Sequence, residues 1–238
     1  RVIAGYCGLI THTDEQIGLV LKEAEALGML DDTRVIYTSD HGEAAGHHGI
    51  LGKANHYEHA IGVPLLMAGP DIPQGKVIDQ CASHVDLFPT LVEAMGADSS
   101  NADADLPGAS LWPALEGRET ARAAFAEYHA MGSRNSGFAI RDGDMKLIYH
   151  VGMDNQLFDL AADPREEHDL LANGASHPAA AGLERKLRDM LDPEDVDARS
   201  KAEQAAHMEK FGGPEAVRKT GVFSMSPIPG KAADVERV

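Results

Sequence analysis

Asp40, His41 and Lys53 are the residues whose types and spacing best fit a chemical site. Asp40 and His41 closely follow the uncharged run Val35–Thr38, and Lys53 lies in the loop beyond them. A carboxylate and an imidazole can both bind a divalent metal, and a lysine ammonium adds a fixed cation. The pattern makes Asp40 and His41 potential metal ligands and allows Lys53 to return a cation to the same crevice. For the Asp-His pair taken by itself, capping of a loop is the favoured interpretation.

The elements that would position this site are a buried strand and a helix beside it. Val35–Thr38 is β-prone and uncharged, which predicts a central parallel strand buried on both faces of an α/β sheet. Such sheets place ligands at the carboxyl ends of their strands. Thr13 and Gln16 form a capping-box pattern before an apolar stripe that ends at Gly28, predicting a helix that covers this sheet.

Several ordered motifs between residues 6 and 171 resemble the landmarks of type I sulfatases in the alkaline phosphatase superfamily. They are Thr33–Ser39, Asp40-His41-Gly42-Glu43, His48-Gly49, Gly52-Lys53, Tyr57-Glu58, Val63-Pro64-Leu65, Val85–Leu91, Gln156–Leu160, Asp163-Pro164, Glu166-Glu167 and Asp169-Leu170. The resemblance implies an α/β fold: part of an alkaline-phosphatase-like open sheet flanked by helices, followed by a small C-terminal antiparallel sheet with a helix. The chain as a whole resembles the carboxyl-terminal half of an arylsulfatase- or choline-sulfatase-like enzyme.

The resemblance also implies roles for the three site residues. Asp40 and His41 match family metal ligands, and Lys53 matches a position that contacts the sulfate group. The family favours calcium as the divalent metal. Oxygen ligands also suit magnesium, and the imidazole of His41 moves the preference toward manganese.

The family's nucleophile motif is absent from this sequence. That nucleophile is a formylglycine made from Cys or Ser in a Cys/Ser-x-Pro/Ala-x-Arg motif, and neither Cys7 nor Cys81 lies in one. The family also uses an aspartate pair, but Asp31-Asp32 precedes the Val35 strand and is interpreted as a loop or cap. We therefore expect an amino-terminal portion outside this chain to carry the nucleophile, and we expect the isolated chain to be inactive.

Three functional hypotheses follow from this resemblance. The first is part of a sulfatase that hydrolyses a small sulfate ester. The second is a phosphonate monoester or phosphodiester hydrolase of the same superfamily. The third is a sulfatase-like remnant without catalysis, retained for binding or assembly.

Composition excludes some partners. The formal charge of −17 over 238 residues argues against a nucleic-acid surface, which needs a basic footprint. No apolar run is long enough to cross a bilayer, so no membrane partner is expected. Two cysteines make no disulfide framework, and both a cytoplasmic and a periplasmic location stay open.

Four histidines in the following loop, His47, His48, His56 and His59, could form a second metal site. None has the i, i+4 spacing on a clear helix that a zinc motif needs. The favoured interpretation is that most of them pack, cap or face the substrate.

The sequence predicts three segments. Residues 1–110 hold the metal-binding loop, residues 111–192 form a small antiparallel sheet with a packing helix, and residues 193–238 form a polar helix and an extended tail. Two hypotheses stay open for Val222–Gly230: a docking arm, giving a homo-oligomer or a contact with the missing part, and terminal disorder. Within these segments, Asp86 is predicted to cap a helix and Trp112 to anchor the core.

Overall fold

The computed structural model describes residues 2–97, 103–118, 121–129, 133–220, 222–223 and 235–236. Backbone contacts divide the chain into two compact units, residues 1–190 and residues 191–238. The site residues all lie in the first unit.

The first helix, α1, spans Val2–Ala26 and ends before Gly28, whose φ of +67° suits a helix terminus. The predicted start at Thr13 is wrong because no proline stops the helix upstream of it. No residue of α1 is buried, so the expectation that this helix covers the sheet is also wrong. Periodicity gives a helix its apolar face, but only a neighbouring element can bury that face.

Strand β1, Val35–Thr38, pairs antiparallel with β2, Leu65–Ala68, with Val35 opposite Ala68. The prediction of a central parallel strand buried on both faces is therefore wrong. In the part of the chain that the structure describes, β1 is half-buried and belongs to a two-stranded sheet. An apolar run indicates a strand, but it carries no information about the direction of its neighbour.

The segment Lys76–Gln80, after β2, is irregular. Lys76 Nζ donates to the carbonyls of Ala114 and Leu115, at 2.8 and 3.1 Å. These carbonyls belong to the short helix α4, Trp112–Leu115, whose last carbonyls have no partner within the helix.

Asp86 is structural, as predicted. It ends a 3₁₀ turn, His84–Asp86, that leads into α3, Leu87–Ala94, and forms a capping box with Ser83. Its carboxylate is fully buried and lies 2.6 Å from Arg122 Nη2. The pairing compensates the cost of burying the charge.

Trp112 anchors the core beside these residues. Its side chain is buried, and Nε1 donates to the Thr90 carbonyl at 2.9 Å. The bond satisfies the one polar group of the indole, so the ring packs with Ile72 and Leu115 without an unpaired donor.

Four strands form the antiparallel sheet that the sequence predicts, in the order β3-β4-β5-β6. They are β3 Ala123–Tyr128, β4 Gly137–Asp142, β5 Met145–His150 and β6 Gln156–Asp159. A tight hairpin joins β4 and β5: Asp142 pairs with Met145 at the end of the ladder, and the two-residue turn is Gly143-Asp144, in which Gly143 takes a φ of +60°.

Helix α5, Pro178–Met190, packs on β4 and β5 through Leu183 and Leu187, which are buried. Met190, the last residue of the helix, is 54% exposed.

The second unit begins with α6, Pro193–Lys210, and continues with α7, Gly213–Thr220. Asp192 caps α6 by accepting from the backbone N–H groups of Glu194 and Asp195. The two-residue strands Val222–Phe223 and Val235–Glu236 pair antiparallel. Most of the proposed docking arm, residues 224–230, lies outside the described residues.

Among the helices described, none combines the length and the apolar character needed to cross a membrane.

Candidate active site

Asp40, His41 and Lys53 converge at the end of β1. His41 Nε2 lies 3.2 Å from Asp40 Oδ2 and 2.6 Å from Lys53 Nζ. Asp40 and Lys53 are therefore both within hydrogen-bonding range of the same imidazole nitrogen of His41.

The backbone orients His41 for this contact. Its Nδ1 lies 2.9 Å from the Gly42 carbonyl. A carbonyl oxygen only accepts, so Nδ1 carries the proton in this bond and the lone pair is on Nε2. Nε2 is thereby available to a cation, and in the structure the Lys53 ammonium takes that place.

Asp40 is exposed, with 82% of its side chain accessible. The backbone N–H of His41 donates to Asp40 Oδ1 at 2.9 Å, and this bond holds the pKa of the carboxyl below its usual value. The group is therefore a carboxylate at neutral pH, which is the form that binds metal.

A closed loop returns the chain from His41 to Lys53. Ala44 N donates to the Gly52 carbonyl at 2.8 Å, and Glu43 Oε1 accepts from the N–H groups of Ala45 and Gly52. The two hydrogen bonds that Glu43 accepts, from Ala45 and Gly52, lower its pKa. In the sequence, Glu43 stands out only as part of the Asp-His-Gly-Glu motif, although a carboxylate inside a glycine-rich loop is a signal for such capping.

His84 supports the same site from a distant part of the sequence. Its Nε2 donates to the Ser39 carbonyl at 2.8 Å, and Ser39 Oγ donates to the His41 carbonyl at 2.9 Å. His84 therefore positions the backbone at the end of β1. No local pattern links residue 84 to residue 39, so only the folded chain reveals this role.

The three residues lie on an open cleft of about 1190 Å³. Its lining residues include Asp40, His41, Lys53, His56, His84 and Arg141. A space of this size admits a small ester together with its leaving group.

Asp40 Oδ2 and His41 Nε2 fit a divalent metal. Neighbouring ligands of an octahedral ion with bonds of about 2.1–2.4 Å lie roughly 3.0–3.4 Å apart. The two atoms are 3.2 Å apart, and the proton on His41 Nδ1 leaves the lone pair on Nε2, where an ion would replace the ammonium group of Lys53. These are the residues that could hold the ion.

The segment that carries these residues matches a known protein family. The family model described as Sulfatase matches residues 1–97, which include β1 and all three site residues. Residues 1–97 belong to the sulfatase family.

Similarity to individual sulfatases extends beyond residues 1–97. The chain is 36% identical to a choline-sulfatase of Rhizobium meliloti over 168 residues, covering 71% of this chain and 33% of that enzyme. It is 32% identical to arylsulfatase K of Mus musculus over 212 residues, covering 83% of this chain and 37% of the relative. The chain thus spans about a third of the length of these sulfatase relatives.

Solved structures have the same fold. A phosphonate monoester hydrolase of Agrobacterium radiobacter superposes with a TM-score of 0.66 at 31% identity, covering 76% of this chain and 39% of that one. The expected fold class, an alkaline-phosphatase-like α/β fold with a small antiparallel sheet, is confirmed.

Proposed function

We propose that this chain supplies the metal-binding and anion-binding part of a sulfuric ester hydrolase. The observation that carries the proposal is the convergence of Asp40, His41 and Lys53 on one side of the cleft. The sulfatase relatives support the substrate class, because their names describe choline-sulfatase and arylsulfatase activities.

The arrangement suits the charge that develops when a sulfate ester is cleaved. Asp40 and His41 would hold a divalent cation, calcium by resemblance or else manganese or magnesium, and a bound cation neutralises charge on the sulfuryl oxygens. Lys53 would contact another of these oxygens through its ammonium group. Preorganised cations in a cleft stabilise such charge without reorganisation in the transition state.

The proposal includes a partner segment outside residues 1–238 that carries the formylglycine nucleophile and the remaining ligands. Two observations support it: the chain spans about a third of its relatives' length, and α1 exposes an apolar surface. Ile3, Leu9, Ile10 and Val20 on this helix are each more than half exposed. A continuous apolar face of this kind marks a packing surface.

Replacing Lys53 tests the proposal. In the protein that contains both this chain and the nucleophile segment, Lys53→Ala is expected to lower kcat/KM for an aryl sulfate by about 100-fold or more, because a preorganised cation is lost. Lys22→Ala, which removes an exposed lysine of α1, is the matched control and should leave the rate unchanged. Near-normal turnover by Lys53→Ala would remove Lys53 from the site.

A phosphonate monoester or phosphodiester hydrolase is the second candidate, supported by the similarity to the Agrobacterium radiobacter enzyme. The two candidates share the Asp-His pair and the lysine. Measuring kcat/KM for an aryl sulfate, an aryl phosphonate monoester and an aryl phosphodiester with the same protein separates them. Failure to turn over any of the three would favour the non-catalytic hypothesis.

A further inference from the structure

Three of the four loop histidines converge at one point. One ring nitrogen from each of His47, His48 and His59 lies within 4.8 Å of the other two. The rings of His47 and His59 stack with centroids 5.4 Å apart. His56, the fourth histidine, lies apart from them and lines the cleft.

The backbone conformation of the loop between Gly46 and α2 produces this convergence. His47–Gly49 forms a 3₁₀ turn in which His48 has a φ of +50°. Gly46 N donates to the Ile50 carbonyl at 2.9 Å and closes the turn. His59 approaches from α2, Glu58–Ile61. The turn and α2 thus bring together three histidines whose spacing in the sequence is not that of neighbours on one helix face. Spacing along the sequence therefore did not indicate a site.

Two of the rings are prepared to act as ligands. His48 Nε2 donates to the Arg165 carbonyl at 3.2 Å, which leaves the lone pair of His48 on Nδ1. A bond of this kind fixes the tautomer and orientation of metal-binding histidines. His59 Nε2 is buried and has no hydrogen-bond partner. A buried nitrogen without a partner is costly unless something binds it.

We propose that His47, His48 and His59 form a zinc site, separate from the Asp40–His41 pair. Imidazole suits zinc, and a tetrahedral ion with bonds of about 2.0–2.1 Å holds its ligand nitrogens roughly 3.3 Å apart. The three nitrogens lie within 4.8 Å of one another, so binding would require them to approach by up to about 1.5 Å. Water takes the fourth position.

The zinc would act on the loop rather than in the cleft. None of the three histidines lines the cleft, and they join the turn at residues 47–49 to α2. Lys53 lies between these two attachment points in the chain. A bound zinc therefore closes the loop that carries Lys53 and stabilises the folded state by mass action.

The test is zinc binding to the full chain, measured by equilibrium dialysis and elemental analysis, with cobalt absorption as a second readout. The wild-type chain is expected to bind one zinc ion, and this binding should raise its Tm. The Asp40→Asn variant should still bind this ion. His47→Gln and His59→Gln should weaken this binding by at least about tenfold, since even a group that only orients a ligand contributes that much.

His12→Gln is the matched control, because His12 is an exposed histidine of α1. The exposed position of His47 keeps its variant folded, which an unchanged Tm without metal would verify. The proposal is overturned if wild type binds no zinc, if the zinc disappears with Asp40→Asn, or if both cluster variants bind it as tightly as His12→Gln does.

Discussion

At the residue scale, folding changes the titration of His56. Only 6% of the residue is exposed, and its Nε2 is buried without a hydrogen-bond partner. Burial, with smaller effects from His150 and Lys146, lowers its pKa from 6.5 to about 4. The ring is therefore neutral in the folded protein over the whole neutral and mildly acidic range.

This pKa predicts a loss of stability on acidification. The unfolded chain binds the proton near pH 6.5 and the folded chain only near pH 4, so the free energy of unfolding falls as pH drops between these values. The full loss from this group is about 3 kcal/mol. Urea unfolding at pH 7 and pH 4.5 measures it.

His56→Gln should reduce the pH dependence of unfolding, whereas His12→Gln should keep it. An unchanged pH dependence in His56→Gln would show that other groups cause the acid sensitivity. The lowered pKa values of Asp40 and Glu43 act in the same direction, so some dependence persists in every variant.

At the element scale, the site depends on how closely the loop after β1 approaches α2. Gly42 N donates to the Ala60 carbonyl at 2.8 Å. A Cβ on Gly42 would lie 2.1 Å from the His59 carbonyl oxygen. Glycine is required here by the neighbouring backbone, whereas Gly46 is required by its φ of +101°.

Gly42→Ala is therefore expected to destabilise the protein by roughly 1–3 kcal/mol, as for other substitutions that overfill a packed region. Gly18→Ala is the matched control. Its Cβ meets no atom within 4 Å, and alanine in a helix is favoured over glycine by up to about 1 kcal/mol. Chemical denaturation compares the two, and equal stability of both variants would contradict the close approach.

At the scale of the first unit, a buried ion network connects the site region with the antiparallel sheet. Lys146 of β5 is fully buried, and its Nζ lies 2.7 Å from Glu166 Oε1 and 3.0 Å from Glu58 Oε1. Glu58 begins α2, and its N–H donates to Glu166 Oε2 at 2.6 Å. Arg141 of β4 completes the network with Glu58.

Lys146→Met should destabilise the protein by about 3–5 kcal/mol, because it leaves Glu166 buried without its cation. Lys186→Met removes a surface partner of Asp142 and is the control, expected to cost about 1 kcal/mol or less. Adding Glu166→Gln to Lys146→Met should recover part of the loss. Equal effects of the two lysine variants in urea unfolding would contradict the role of this network.

The sequence by itself determined the local features of this protein. The residue pattern predicted the small antiparallel sheet between residues 111 and 192, and the ordered motifs singled out Asp40, His41 and Lys53, whose side chains lie together in the structure. These succeed because turn chemistry, strand periodicity and ligand type are properties of neighbouring residues.

Tertiary structure alone decided which distant groups meet. The antiparallel partner of β1, the exposed face of α1, the support of Ser39 by His84 and the meeting of His47, His48 and His59 all depend on chain segments far apart in sequence. Residue type sets what a side chain can bind or donate. Its actual partner is set by packing and loop closure, which no local pattern encodes.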